Sequence, residues 1–332
     1  MRSLALILLT TTAGAVGLLG CGGGTATETG PPALVRLPKG AEPERLLRTA
    51  DGSLWATETD RSDLVRVLPG GKVRHYELPN LASGIAYIAE GPDGMVWLAG
   101  GGELFRLQPE NGAVAVMRGF GSSGNPEIGS TGPLTAGPEG ALWYPSEGKP
   151  DRIVRVTPGG KVTGFELGSS EETDMTGIAY GADGALWFTQ GSSAYEEKPG
   201  DAIGRMEADG NYNRWPLPDK DGHPTRIVAG PGGDLWFTEE AGDRIGRITT
   251  TGKIKEFVLP PGVSPTGLTV SGGQVWFSST HKVGRVSPDG RIAEWRVEGT
   301  DEIADIAPNP PGGVWLADGG AGVLRRFSPG GS

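Results

Sequence analysis

One motif, repeated seven times, constrains this chain more than any other feature. Each copy holds a Gly-Pro-Asp-Gly type turn, a short apolar run containing Trp, and a loop. An apolar-Gly-Arg-apolar segment and a second turn of the Pro-Asp-Gly-Lys type follow. The clearest copy runs Gly230-Pro231-Gly232-Gly233-Asp234-Leu235-Trp236-Phe237-Thr238-Glu239 and continues at Arg244-Ile245-Gly246-Arg247-Ile248. The motif tryptophans are Trp55, Trp97, Trp143, Trp187, Trp236, Trp276 and Trp315, spaced 39 to 49 residues apart. A period of roughly 40–45 residues built from short strands is the signature of a propeller blade. The sequence therefore predicts an all-β, seven-bladed β-propeller with four-stranded antiparallel blades.

Within the fifth repeat the pattern places strand a at 226–229, strand b at 234–238, strand c at 244–248 and strand d at 253–259. Strands c and d alternate apolar and polar residues, as half-exposed strands do. After Trp315 only one strand, around Leu324-Arg325-Arg326-Phe327, remains before the end. Ala33-Leu34-Val35-Arg36-Leu37-Pro38 reads as a strand d with no blade before it. The N-terminal strand is thus expected to complete the seventh blade and remove an open sheet edge. Antiparallel order puts the a–b and c–d turns on one uniform face. The d–a and b–c loops, which vary in length and charge, lie on the other, the face expected to carry function.

The chain has 332 residues with 58 Gly and 27 Pro, and these sit at the periodic turns. The net charge is -10, with no basic patch or arginine-rich helix, which argues against a nucleic-acid partner. Met1-Arg2 and the apolar stretch from Leu4 to Leu19 read as an export signal. It ends in Leu18-Leu19-Gly20-Cys21, which resembles the bacterial lipoprotein box. The expected organisation is a signal peptide at 1–20, a lipidated Cys21 with a flexible tether at 21–32, and a propeller at 33–332. Cys21 is the single cysteine, so no intramolecular disulfide forms. These features place the protein on the extracytoplasmic face of the cell membrane, lipid-anchored and monomeric.

The recurring Leu-Trp-Phe-Thr-Glu, Ile-Gly-Arg-Ile-Thr and Gly-Lys-Ile-x-Glu-Phe segments resemble the virginiamycin B lyase (streptogramin B lyase) family over residues 33–332. The resemblance is strongest in repeats 4–6. It implies a seven-bladed propeller that opens a cyclic depsipeptide by β-elimination at its ester bond, with Mg²⁺. Such chemistry needs a base for the α-proton and a cation or donor for the developing enolate. The family's signature in its last blade, Glu-Pro-His-Gly followed by a second Glu after the strand-b Trp, falls on Glu302-Ile303-Ala304-Asp305 and on Asp318. A second functional His of the family, one blade earlier, falls on Thr266 within Ser264-Pro265-Thr266-Gly267. The first acid is kept, the second is shortened, and both imidazoles are missing.

On the variable face the residues ending strand b are Glu58, Gly100, Ser146, Gln190, Glu239, Ser279 and Asp318. The starts of strand a add Glu42, Glu44, Asp174, His223 and Glu302. Glu42, Glu44, Glu58, Glu302 and Asp318 fall on blades 1 and 7, an acidic mouth. One reading is an Mg²⁺ or Ca²⁺ site on Glu302, Asp318 and Glu58, since hard cations take carboxylate oxygens. The other is solvated carboxylates that merely share a face. His223 with Glu239 is a candidate acid/base pair displaced from the family's position, and His281 lies on the same face. The seven tryptophans read as packing between blades. Two long connections, 190–201 and 118–132, are candidate binding loops.

The resulting expectation is a binding or sensing module with a degenerate lyase site, taking a small molecule or peptide on the variable face. The alternatives are a metal-dependent lyase using Glu302, Asp318 and an unidentified base, and a gluconolactonase-like hydrolase.

Overall fold

A computed structural model describes residues 5–7, 33–58, 63–78, 84–100, 103–117, 132–146, 150–167, 173–191, 200–219 and 222–330. The connections at 118–131 and 192–199, and Cys21 with its tether, lie outside the described residues. Seven antiparallel sheets each pair their strands in sequence order and together form the propeller. Blade 5 has strand a at Pro224–Ala229, b at Leu235–Glu239, c at Arg244–Ile248 and d at Ile254–Val258. These bounds match the sequence expectation to within two residues. Strand b is buried along its whole length, whereas strand d is only intermittently covered. The gradient follows from position: inner strands are sandwiched by neighbouring blades on both faces, and outer strands meet water on their edge.

The seventh blade closes as the sequence predicts. Leu34–Arg36 pairs antiparallel with Val323–Phe327, Leu34 opposite Arg325 and Arg36 opposite Val323. The bonds from Arg326 N to Ala33 O (2.8 Å) and from Leu37 N to Gly322 O (3.1 Å) extend this ladder. Val35 is buried against Leu46, Ala56 and Leu324, so the closing strand also bridges blades 7 and 1. A further short strand, Ala5–Ile7, pairs with Val114–Met117 on the outer edge of blade 2.

The motif residues form a repeated structural unit. Each motif Trp is fully buried. Opposite it in strand c stands an arginine, as in Trp236 opposite Arg247. In blades 1–6 the guanidinium carbon lies 5.0 to 5.9 Å from the Trp ring centre, a cation–π contact. The turn acid then pairs with the same arginine: Asp51 with Arg66, Asp93 with Arg106, Asp183 with Arg205 and Asp234 with Arg247, at 2.5 to 2.7 Å. The Gly-Pro-Asp-Gly turn thus supplies a counter-ion as well as a change of direction. A strand-d aromatic also stacks on the Trp, as Phe257 does on Trp236 at 5.3 Å. The seven tryptophans are therefore core, as expected.

The strand-c glycine has a packing reason too. In blade 5 the Phe237 ring lies over Gly246, where a Cβ would sit 2.1 Å from it. Phe188 over Gly204 and Phe277 over Gly284 repeat the arrangement in blades 4 and 6. The Phe–Gly pairing is confined to the three blades where the family resemblance is strongest.

Candidate functional site

The strands a line the central channel, and their first halves face the variable side. In register terms, one position stands two residues before the strand-a partner of each motif Trp. Leu47 pairs with Trp55, Ala89 with Trp97, Thr135 with Trp143, Ala179 with Trp187, Val228 with Trp236, Thr269 with Trp276 and Ala307 with Trp315. Counting back gives a ring of Arg45, Tyr87, Pro133, Gly177, Arg226, Gly267 and Asp305. Six of these seven line one small cavity of about 110 Å³.

Three of the ring residues are charged, and each sits beside a β-bulge. The strand a–strand b register shifts between Pro43 and Leu46, between Pro224 and Ile227, and between Ile303 and Asp305. Blade 4 shows the same one-residue offset, its Asp174–Gly191 bridge being out of step with the Ile178–Phe188 ladder. A bulge kinks the strand and re-aims side chains. The extra backbone N–H in blades 1 and 5 is satisfied in the same way, Arg45 N donating to Thr57 Oγ1 (3.1 Å) and Arg226 N to Thr238 Oγ1 (3.0 Å).

Asp305 is buried and accepts from Leu46 N at 3.0 Å through Oδ2, tying blade 7 to blade 1. Its Oδ1 lies 3.5 Å from Arg226 Nη2. Arg226 reaches across blade 6, where Gly267 leaves room, and its Nε donates to Thr266 O at 3.4 Å. A Cβ on Gly267 would meet Ser278 Oγ at 2.2 Å. Arg45 Nε donates to Ala86 O at 3.3 Å, and its guanidinium lies 5.8 Å from the Tyr87 ring centre. Burial, and then the nearby positive charge of Arg45, lower the Arg226 pKa against the pull of Asp305.

The residues expected from the sequence fall elsewhere. Asp318 is fully buried, its Oδ2 accepting from Arg325 Nε at 2.9 Å and its Oδ1 from Ala321 N at 3.2 Å. Glu302 and Glu42 are exposed, and Glu58 is buried at the end of Leu54–Glu58. Glu44 is half-buried, 3.6 Å from Arg45 Nε. Among the described residues no three His, Cys, Asp or Glu side chains converge where they could hold a metal ion. Glu302, Asp318 and Glu58 therefore do not form a ready Mg²⁺ or Ca²⁺ cage, since Asp318 already spends both oxygens on protein donors.

His223 and Glu239 are likewise not joined by a hydrogen bond. His223 adopts a left-handed backbone (φ 53) and its N donates to Asp201 Oδ2. Its ring lies beside Gly191, at the junction with blade 4. The Glu239 carboxylate is packed under Gly222, 3.6 Å from Arg244 Nη1. Burial, and then the neighbouring Glu256, push its pKa up to about 8. His281 is exposed, with its carbonyl held by Val297 N at 3.0 Å.

Thr266 and Ala304 both stand partly buried at the channel mouth, each one residue before a ring position. The sequence reading found these two but missed the ring itself. The signal was present: counting back in register from each motif Trp isolates Arg45, Arg226 and Asp305.

The virginiamycin B lyase family model matches residues 101–332, and this chain belongs to that family. It is similar to virginiamycin B lyase of Nocardia farcinica, 33% identical over 168 residues, 48% of this chain and 55% of that protein. The matched segment thus spans about half of that relative. Over 70 residues it is 43% identical to virginiamycin B lyase of Bordetella parapertussis, covering 21% of each. Among solved structures it is similar to a catalytically inactive histidine-to-alanine variant of Staphylococcus aureus virginiamycin B lyase with quinupristin. The TM-score is 0.76 and the identity 27%, covering 88% of this chain and 97% of that one.

Proposed function

We propose that this chain is a ligand-binding propeller whose lyase site has lapsed. The observation that carries the reading is the rebuilt channel mouth. Where the family resemblance expects Glu-Pro-His-Gly, the chain has Glu302-Ile303-Ala304-Asp305, and only the glutamate remains. The glycine position is Asp305, engaged by Leu46 N and Arg226. The second acid, Asp318, is committed to Arg325. The other expected imidazole is Thr266. Neither alanine nor threonine accepts a proton near neutral pH, and losing a general base costs about 10²–10⁴ in rate. In the Staphylococcus aureus relative a single histidine-to-alanine change gives a catalytically inactive enzyme, which agrees with this reading.

The same reading places the protein at the membrane through a lipidated Cys21. Cleavage before Cys21 removes Ala5–Ile7, leaving blade 2 with its own four strands. The test of function offers quinupristin to the purified protein with Mg²⁺ and separates binding from turnover. Equilibrium dialysis measures retention and mass spectrometry measures ring opening. Ring opening at a rate near that of the Staphylococcus aureus enzyme overturns the proposal.

A further inference from the structure

The channel mouth carries more guanidinium donors than its own structure uses. A guanidinium has five N–H donors. Arg45 gives Nε to Ala86 O, and Arg226 gives Nε to Thr266 O. Arg226 Nη2 faces Asp305. Among the described residues, both Nη atoms of Arg45 and the Nη1 of Arg226 have no hydrogen-bond acceptor. The cavity lining holds two guanidiniums and one carboxylate, Asp305, which is engaged by Arg226 and also accepts from Leu46 N. Glu44 adds a second carboxylate at the rim, 3.6 Å from Arg45 but beside Nε, leaving the Nη edge open. Tyr87, Pro133 and Gly177 share the ring, with Thr176 beside Gly177, while Leu46, Ile88, Leu134, Ile178 and Ile227, which follow the ring residues in sequence, pack into the cores between blades.

The one-residue register offset recurs in blade 4, where the Asp174–Gly191 bridge is out of step with the Ile178–Phe188 ladder, so it is the charge of Arg45, Arg226 and Asp305, and not the bulge, that sets blades 1, 5 and 7 apart. If the cluster served only to seal the channel, one Arg–Asp pair would suffice. The second arginine repels the first.

We propose that this mouth is a binding site for a small carboxylate, its oxygens taken by the open Nη edges of Arg45 and Arg226. Carboxylate oxygens match the planar fork of a guanidinium, which a lysine does not reproduce. A cavity of about 110 Å³ suits a ligand of a few heavy atoms, or the carboxylate end of a longer one lying on the variable face. The proposal rests on reading the chain as a binding module. It fails separately from that reading, because ring opening of quinupristin and capture of a carboxylate are measured in different assays.

The probes are propionate and its neutral counterpart propionamide, titrated into the full mature chain and followed by ligand-detected NMR. Propionate is expected to bind and propionamide to bind at least tenfold more weakly. Arg45→Gln, at the half-exposed rim, is expected to weaken propionate about ten- to a hundredfold, the scale of a lost charged hydrogen bond. Arg226→Lys keeps the charge, loses the fork and is expected to weaken it about tenfold. Thermal melts of both variants establish that they are folded, and Arg45→Gln carries the test if Arg226→Lys does not fold. Equal binding of acid and amide, no propionate binding, or unchanged affinity in folded Arg45→Gln overturns the proposal.

Discussion

Glu239 gives a pH dependence that can be worked from its surroundings. Its side chain is fully buried in blade 5 with its pKa pushed up from 4.5 to about 8, first by burial and then by Glu256. A carboxyl raised in the folded state is protonated there while its unfolded counterpart is ionised. Between about pH 4.5 and 8 the unfolded chain therefore binds fewer protons, and stability falls as pH rises. The slope is about 1.4 kcal/mol per pH unit, so the loss between pH 5 and pH 8 is about 4 kcal/mol. Glu239→Gln removes the titrating group and keeps its shape. All other titrations are common to both proteins, so the difference between their stabilities isolates this one. With an unfolding entropy of about 2.1 cal/mol/K per residue over roughly 300 residues, 4 kcal/mol corresponds to about 6 °C in Tm. Scanning calorimetry at pH 5 and pH 8 is the assay. The variant should gain about 6 °C on wild type between the two conditions. A Tm difference that stays constant within a degree refutes the assignment of a buried, protonated Glu239.

Three further outcomes follow from the packing and the leader. Deleting residues 33–40 removes the strand Leu34–Arg36 and the burial of Val35. The loss of about 1.5–3 kcal/mol for Val35 alone, plus the exposed edge, should lower Tm by several degrees, whereas an unchanged melt would mean that the strand does not close the ring. Gly246→Ala puts a Cβ 2.1 Å from the Phe237 ring and should cost about 1–3 kcal/mol in chemical unfolding. Phe237→Leu in the same chain should relieve part of that cost, and strict additivity would contradict the packing argument. Cys21→Ser should move the protein from the membrane to the soluble fraction, and a soluble wild type would contradict the anchor.

The fold was legible because its determinants repeat. Trp236, Arg247 and Asp234 are close in sequence, and seven copies of a buried Trp opposite a strand-c Arg leave a period that a single strand would not. The closing strand was legible for the same reason, as a strand d without a blade at one end and a blade without a strand d at the other. The acidic mouth was read from sharing a face, and sharing a face does not set direction. Asp318 and Glu239 end equivalent strands, yet both turn into their blades, toward Arg325 and Arg244. Those arginines come from strand c, several residues away, and pattern alone does not say which side of the sheet they occupy. The channel ring escaped because Arg45, Arg226 and Asp305 are separated by whole blades and share no local motif. Each nevertheless stands ten residues before its motif Trp, an offset that the ladder registers turn into a common level.

The central claim is that the family's β-elimination chemistry is missing from this channel mouth. A time course of quinupristin with purified protein and Mg²⁺, read by mass spectrometry for the ring-opened product, tests it most directly. The Staphylococcus aureus enzyme serves as the positive control. The wild type should fall at least about 10²-fold below the control, the scale of a missing general base. Ala304→His with Thr266→His should recover at most a part, because Asp305, Arg226 and the Arg325-bound Asp318 remain in place. Turnover by the wild type within tenfold of the control would contradict the account and require a base other than the two missing imidazoles.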